Sequence, residues 1–252
     1  VAGDGPTLAQ QVEWAAGQPD EHVMLDLQAQ AAAFGGRARA ALELTRRAVE
    51  RATAGDANGV AAQYAAAGAL RAAALGVCPQ QQAVARALSL ERNQVSLSRG
   101  GLALALCGET GPAQAAADEL ARRHPKDTVI TGLWLPTIAA ALTLRRGDPE
   151  RAIELLQPVR RYEAAGEFWP PYLRGQAQLR RKAAREASDE FRSITEHRGQ
   201  GPLSPLYALA QAGLALASGS AEAHRDFLAL WKDADAQLPA LVAAREEGTG
   251  RQ

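Results

Sequence analysis

The chain of 252 residues has little of what builds sheets, staples or reactive sites: two cysteines, one methionine and only 5% aromatic residues. Its 28 basic and 28 acidic side chains cancel, so no long-range field draws it to nucleic acid or to an anionic membrane. No run of 18 apolar residues occurs, and direct membrane insertion is therefore not expected. The first residues, VAGDGPTLAQ, show no basic region followed by a hydrophobic stretch. They also lack an initiator methionine, so the chain reads as a fragment or a processed product.

Cys78 and Cys107 are too few for a disulfide scaffold and match no zinc-site spacing. Each is expected as a small buried hydrophobe, with a bridge between neighbouring helix pairs as the alternative. His22, His124, His197 and His224 lie far apart without an HExxH pattern, and no GxSxG, GxxxxGK[ST], HRD or DFG motif is present. Acids sit side by side at Asp20 and Glu21, Asp118 and Glu119, and Asp189 and Glu190. Neighbours on a helix diverge by about 100 degrees instead of facing one substrate, so these pairs read as solvated faces. No catalytic residue, metal site or cofactor is expected.

What is present is alanine and leucine, with 47% apolar residues and few β-branched ones, a composition that favours helices. The stretch RRGDPERAIELLQPV, residues 145 to 159, shows how they are joined. Gly147 can end one helix in a left-handed conformation, Asp148 can cap the next, and Pro149 suits its first position. Similar breaks recur at Gly36, Gly76, Gly108, Gly147, Lys182 and Gly219, at the spacing of a two-helix unit.

Seven residues before the first five markers stand Ala29, Ala69, Gly101, Ala140 and Gly175, all small. Five residues after them stand Ala41, Gln81, Ala113, Ala152 and Ala187. Twelve residues after them come Ala48, Leu88, Leu120, Val159 and Ile194, an unbroken apolar column. Each helix pair is thus expected to close on itself through small residues and to bury its remaining apolar face against the next pair. Breaks at residues 53–59, 123–127, 163–171 and 197–205 carry the glycine or proline that separates units.

The segments QQVEWAAGQPDEHVMLDLQAQAAAFGGRARAALELTRRAVE, DTVITGLWLPTIAAALTLRRGDPERAIELLQPVRRYE and FLALWKDADAQLP resemble a tetratricopeptide repeat (TPR) array. More narrowly they resemble the repeat region of bacterial serine/threonine kinases and winged-helix regulators. The resemblance covers nearly the whole chain. It implies an all-α fold, a right-handed superhelical α-solenoid of stacked antiparallel helix pairs, as one domain over residues 1–252 with atypical terminal repeats. Two places depart from the pattern. Lys182 stands where a Gly-Asp turn is usual, so that turn should be capped otherwise or be less tight. In ASGSAEAHRDFLALW, His224 stands where alanine is expected, so the final pair should be distorted beyond residue 219.

The repeat frame places Gln63, Ser98, Trp134, Thr137, Trp169, Tyr172 and Gln176 on the inner surface, with Arg145 and Arg180 at its edge. Trp134 and Trp169 share one frame position, which aims both rings at one groove; ordinary packing between repeats is the competing reading. Trp14 is expected to cover the first open end and Trp231 to close the last helix against the array. These placements describe a non-catalytic module that binds a peptide or partner protein on its concave face. The alternatives are an architectural or dimerising segment of a multidomain signalling protein, which would make a homodimer, a helical-barrel enzyme, and a nucleic-acid regulator built of helical repeats.

Overall fold

A computed structural model describes residues 13–249 apart from Pro79, with side chains as far as Glu246. Among the described residues the secondary structure is helical throughout, without a strand. Six inner helices are α1 (Glu21–Phe34), α3 (Asn58–Ala74), α5 (Gln94–Leu106), α7 (Leu135–Arg145), α9 (Trp169–Arg180) and α11 (Pro205–Ser218). Each is followed by an outer partner: α2 (Ala38–Ala54), α4 (Gln81–Leu90), α6 (Thr110–Arg123), α8 (Pro149–Leu156), α10 (Ala184–Thr195) and α12 (Ala221–Leu230). A last helix, α13 (Pro239–Thr249), follows the sixth pair.

All six marker residues have positive φ: 69° at Gly36, 79° at Gly76, 82° at Gly108, 88° at Gly147, 60° at Lys182 and 68° at Gly219. The first five turns share one bonding pattern. The N–H after each marker reaches back to a carbonyl in the last turn of the inner helix, as in Arg37 to Ala32 (2.9 Å), Val77 to Ala72 (2.9 Å) and Glu109 to Leu104 (2.9 Å). This satisfies carbonyls that a helix end otherwise leaves orphaned. The fifth turn corrects the expectation for Lys182. Lys182 adopts the left-handed conformation itself, and Ala183 N–H donates to Gln178 O at 3.0 Å, so the turn is as tight as its glycine counterparts.

The small columns sit where the pairs close. Ala29, Ala69 and Ala140 are buried on the inner helices, and Ala41, Ala113, Ala152 and Ala187 on the outer ones. A Cβ added to Gly175 would lie 2.6 Å from Phe191 of its own partner helix, and one added to Gly213 would also lie 2.6 Å from that ring. Phe191 is therefore clamped between two inner helices at positions that only glycine allows. Before α7, residues Ile130–Trp134 form one π-helical turn, with Leu135 N–H donating to Ile130 O. Pro136 has no N–H to give and its ring crowds the carbonyl four residues back, which favours this wider turn.

Two expectations about charge and sulfur are overturned. The adjacent acids are not uniformly solvated: Glu119 and Glu190 are buried, and Glu119 is paired with Arg92 and Arg123. Glu190 receives two hydrogen bonds from the fully buried Arg174, at 2.9 and 2.8 Å, and a third from Arg160 at 2.6 Å. The 100-degree divergence that separates the two acids turns one member of each pair outward and the other into a seam. The cysteines are not isolated hydrophobes but form a disulfide, with Cα atoms 5.7 Å apart. Cys78 follows the end of α3 and Cys107 the end of α5, and these inner helices pack side by side.

The inner helices close into a ring. Each touches the next, and α11 returns to touch both α1 and α3. Trp231 is fully buried, and its Nε1–H donates to Phe34 O at 3.0 Å. Asp235 N–H donates to Gly36 O at 3.0 Å, while the Asp235 carboxylate accepts from Arg39 N–H at 2.9 Å. On the same seam Phe34 stacks on Tyr207 at 6.2 Å, and the Arg198 guanidinium lies 5.2 and 5.0 Å from the two rings. Trp231 thus closes the last helices against the first pair. Trp14, expected to cover the first end, is 73% exposed and so is not packed into the array as a cap.

Candidate functional site

Ring closure shapes the interior between the inner helices into clefts. The first, of about 460 Å³, lies between α1, α3 and α5 on one side and the starts of α9 and α11 on the other. Asp26 and Gln30 enter it from α1, Gln63, Tyr64 and Arg71 from α3, and Arg99 from α5. Glu167, Trp169 and the turn at residues 200–204 complete it from the opposite side of the ring, beside the start of α11. The groups of α1, α3 and α5 come from consecutive inner helices, and the turn at residues 200–204 reaches them through the closure.

The charged groups of this cleft neutralise each other. Arg71 Nη2 donates to Asp26 Oδ1 at 2.8 Å, and Gln30 Nε2 donates to Asp26 Oδ2 at 2.9 Å. Arg71 Nη2 also reaches Thr45 Oγ1 at 3.3 Å, whereas its Nε is buried without a hydrogen-bond partner. Arg99 and Glu167 form an ion pair between α5 and the residues that precede α9. Tyr64 shares a hydrogen bond of 3.1 Å with His22 Nδ1. Burial first, then the charges of Asp26 and Asp20, push the Tyr64 phenol above its usual range. It therefore stays a neutral hydrogen-bonding group at any physiological pH.

A second, narrower cleft of about 150 Å³ is lined by Trp169, Tyr172, Gln176, Arg180 and Arg145 together with small apolar residues of α3 and α7. Trp169 lines both clefts. It meets Tyr172 edge-on at 6.2 Å, and Tyr172 meets Phe191 in the same way at 6.2 Å. Burial pushes the Tyr172 phenol up to about 12, although a hydrogen bond with Gln176 works in the other direction. Arg180 donates to Leu144 O. Its guanidinium is held below its ordinary range, first by burial and then by the charge of Arg145.

The nine positions placed on the inner surface by the repeat frame therefore divide. Trp169, Tyr172, Gln176, Arg180 and Arg145 come together in one cleft, and Gln63 joins Trp169 in the other. Ser98, Trp134 and Thr137 do not join them. Ser98 is 2% exposed and its hydroxyl donates to Gln94 O at 2.7 Å; Thr137 is 1% exposed and donates to Leu133 O at 2.6 Å. Trp134 is 7% exposed and belongs to the core; Trp169, at 4%, belongs to the same core, as ordinary packing between repeats would have it, and differs only in that one edge of it also lines the two clefts. The π turn at residues 130–134 intervenes at Trp134 but not at Trp169, so equal frame positions do not give equal environments.

Asp26, Tyr64, Arg71, Arg99 and Glu167 were not anticipated. Tyr64 and Arg99 directly follow the predicted Gln63 and Ser98, so the frame pointed one residue short of them. Glu167 had no signal, because it adopts a left-handed conformation, φ 51°, outside any helix. Compared with known proteins, the chain matches no family model, no curated protein and no solved structure.

Proposed function

We propose that the chain is a TPR-like array with a right-handed path, and that it is a non-catalytic interaction module holding a peptide segment of a partner protein in the cleft around Trp169. One observation carries this reading. Five of the six helix pairs, or the turns that join them, supply hydrogen-bonding groups and one rigid indole to a single cleft of about 460 Å³, within the size range of ligand sites. The amides of Gln30 and Gln63 and the Tyr64 phenol match the donors and acceptors of a peptide backbone. The balanced charge of the cleft favours a segment without net charge. Leu27, which is exposed, and Leu203, which is half-buried, supply the apolar contact beside the edge of Trp169.

The closed ring of inner helices also brings in the helical-barrel enzyme as a second reading. Its two acids at the cleft, Asp26 and Glu167, are each already engaged by an arginine. That supports binding over acid catalysis, which needs a carboxyl free to exchange a proton with the substrate. Attachment to a signalling kinase or a winged-helix regulator remains part of the proposal, on the strength of the sequence resemblance.

The test is selection from a displayed peptide library, followed by calorimetric titration of the selected peptide. Gln63→Ala is expected to weaken binding at least about tenfold and Trp169→Ala by about 2 kcal/mol or more, the scale of a hot spot. Equal affinity of both folded variants and the wild type would remove the cleft from the binding surface.

A further inference from the structure

The disulfide lies beside the ring closure. Cys78 is two residues beyond Gly76, and a Cβ on Gly76 would lie 2.8 Å from Cγ of Pro239, the first residue of α13. The turn around Gly76, two residues before Cys78, is thus the seat on which the C-terminal helix begins. We propose that the Cys78–Cys107 bridge is a redox lock on ring closure: intact, it holds this turn against the end of α5, and its reduction lets the segment from Trp231 onward lift from the first two helix pairs.

The sulfurs are placed for such chemistry. Cys78 is exposed and Cys107 is half-buried, so a thiolate approaching from solvent meets Cys78 Sγ first. A dithiol reductant attacks there, forms a mixed disulfide with Cys78 and displaces Cys107 as a thiolate. Its second thiol then attacks the mixed disulfide, forming the reductant's own disulfide and releasing Cys78. Two electrons and two protons pass to the two cysteines, and no other co-reactant is needed.

The closure is the part of the ring that responds. The C-terminal segment is tied to the first pair by the Trp231 and Asp235 bonds and to the second by Pro239 on Gly76. Beyond Pro239, α13 lies against α11 and α12 alone among the helices with which it shares substantial contact. Reduction removes the covalent tie of Cys78 to the end of α5, and with it the support beside Gly76 on which Pro239 rests. Departure of α13 would unroof a third cleft, of about 260 Å³, that Ala240 and Ala244 cover together with Tyr172, Gln176 and Leu179. The lock stands independently of the peptide reading, since it concerns access to the interior and not what enters it.

Hydrogen exchange of the intact chain, oxidised or treated with dithiothreitol, tests the lock. Reduction should accelerate exchange at residues 231–246 at least about tenfold while residues 169–195, in the fifth pair, keep their protection. The double variant Cys78→Ser, Cys107→Ser should show the fast pattern without reductant and no response to it. Pro239→Ala, still oxidised, should loosen residues 231–246 while leaving 75–78 protected. Unchanged exchange at 231–246 on reduction would overturn the proposal. So would equal acceleration in both regions, which would make the bridge a support of the whole fold.

Discussion

Phe191 and Trp231 each fill a seam by laying an aromatic ring on glycine, yet the two seams have different origins. Phe191, in α10, is pressed between Gly175 and Gly213 of the helices before and after it, so its neighbours are only about half a unit away in sequence. Trp231 lies against Gly36, and its indole is bonded to Phe34 O across 197 positions. The first seam belongs to a repeating local rule, in which Ala29, Ala69 and Ala140 stand buried where Gly175 stands in the fifth pair. The second has one instance and joins the two ends of the array. A linear stack of repeats has two raw ends that need caps; here each end caps the other.

The comparison can be broken most forcefully at Phe191. Phe191→Ala should lose about 4–5 kcal/mol, the upper part of the range for a buried aromatic ring, because the ring fills two seams that glycine cannot fill in its absence. Urea unfolding would show it as a fall in the midpoint of the whole transition. Trp231→Ala should cost less, about 3 kcal/mol, and should release the ends before the body of the ring unfolds. A single transition in which Trp231→Ala costs as much as Phe191→Ala would mean that closure and repeat seams form one cooperative unit.

Gly175→Leu sharpens the account of the repeat seam. Overpacking against Phe191 should destabilise by about 1–3 kcal/mol, opposite in sign to the gain of up to about 1 kcal/mol for removing an exposed helical glycine. A raised denaturation midpoint would place Gly175 outside the seam. The smallest effect is expected at Lys182. A left-handed conformation costs an L-residue about 1–2 kcal/mol, while glycine is penalised by roughly 0.5–1 kcal/mol through its unfolded chain. Lys182→Gly should therefore gain between about 0 and 1.5 kcal/mol, read as a small rise in melting temperature, and a loss would show that the lysine side chain contributes contacts of its own.

The repeat seams were legible because they obey a period. The six marker residues, the buried alanines before and after them, and the place of Gly175 against its partner helix all follow from spacing alone, although the ring it meets, Phe191, does not. Closure was not legible, since the periodic pattern constrains each unit against its neighbours and says nothing about where the sixth unit meets the first. The cleft around Trp169 inherits that blindness: Gln63 and Trp169 were found separately, but nothing local brings them together. The disulfide is an intermediate case. Cys78 lies two residues after one marker and Cys107 one residue before the next, so the frame already held both at the ends of neighbouring inner helices. The buried Arg174 with Glu190 lies outside any pattern of apolar residues.

Small-angle scattering in solution tests closure most directly. A closed ring of 252 residues should have a radius of gyration near that of a compact domain, about 18 Å, and Trp231→Ala should raise it by parting the ends. A wild-type radius several ångströms larger than about 18 Å, unchanged by Trp231→Ala, would describe an open array and contradict the account.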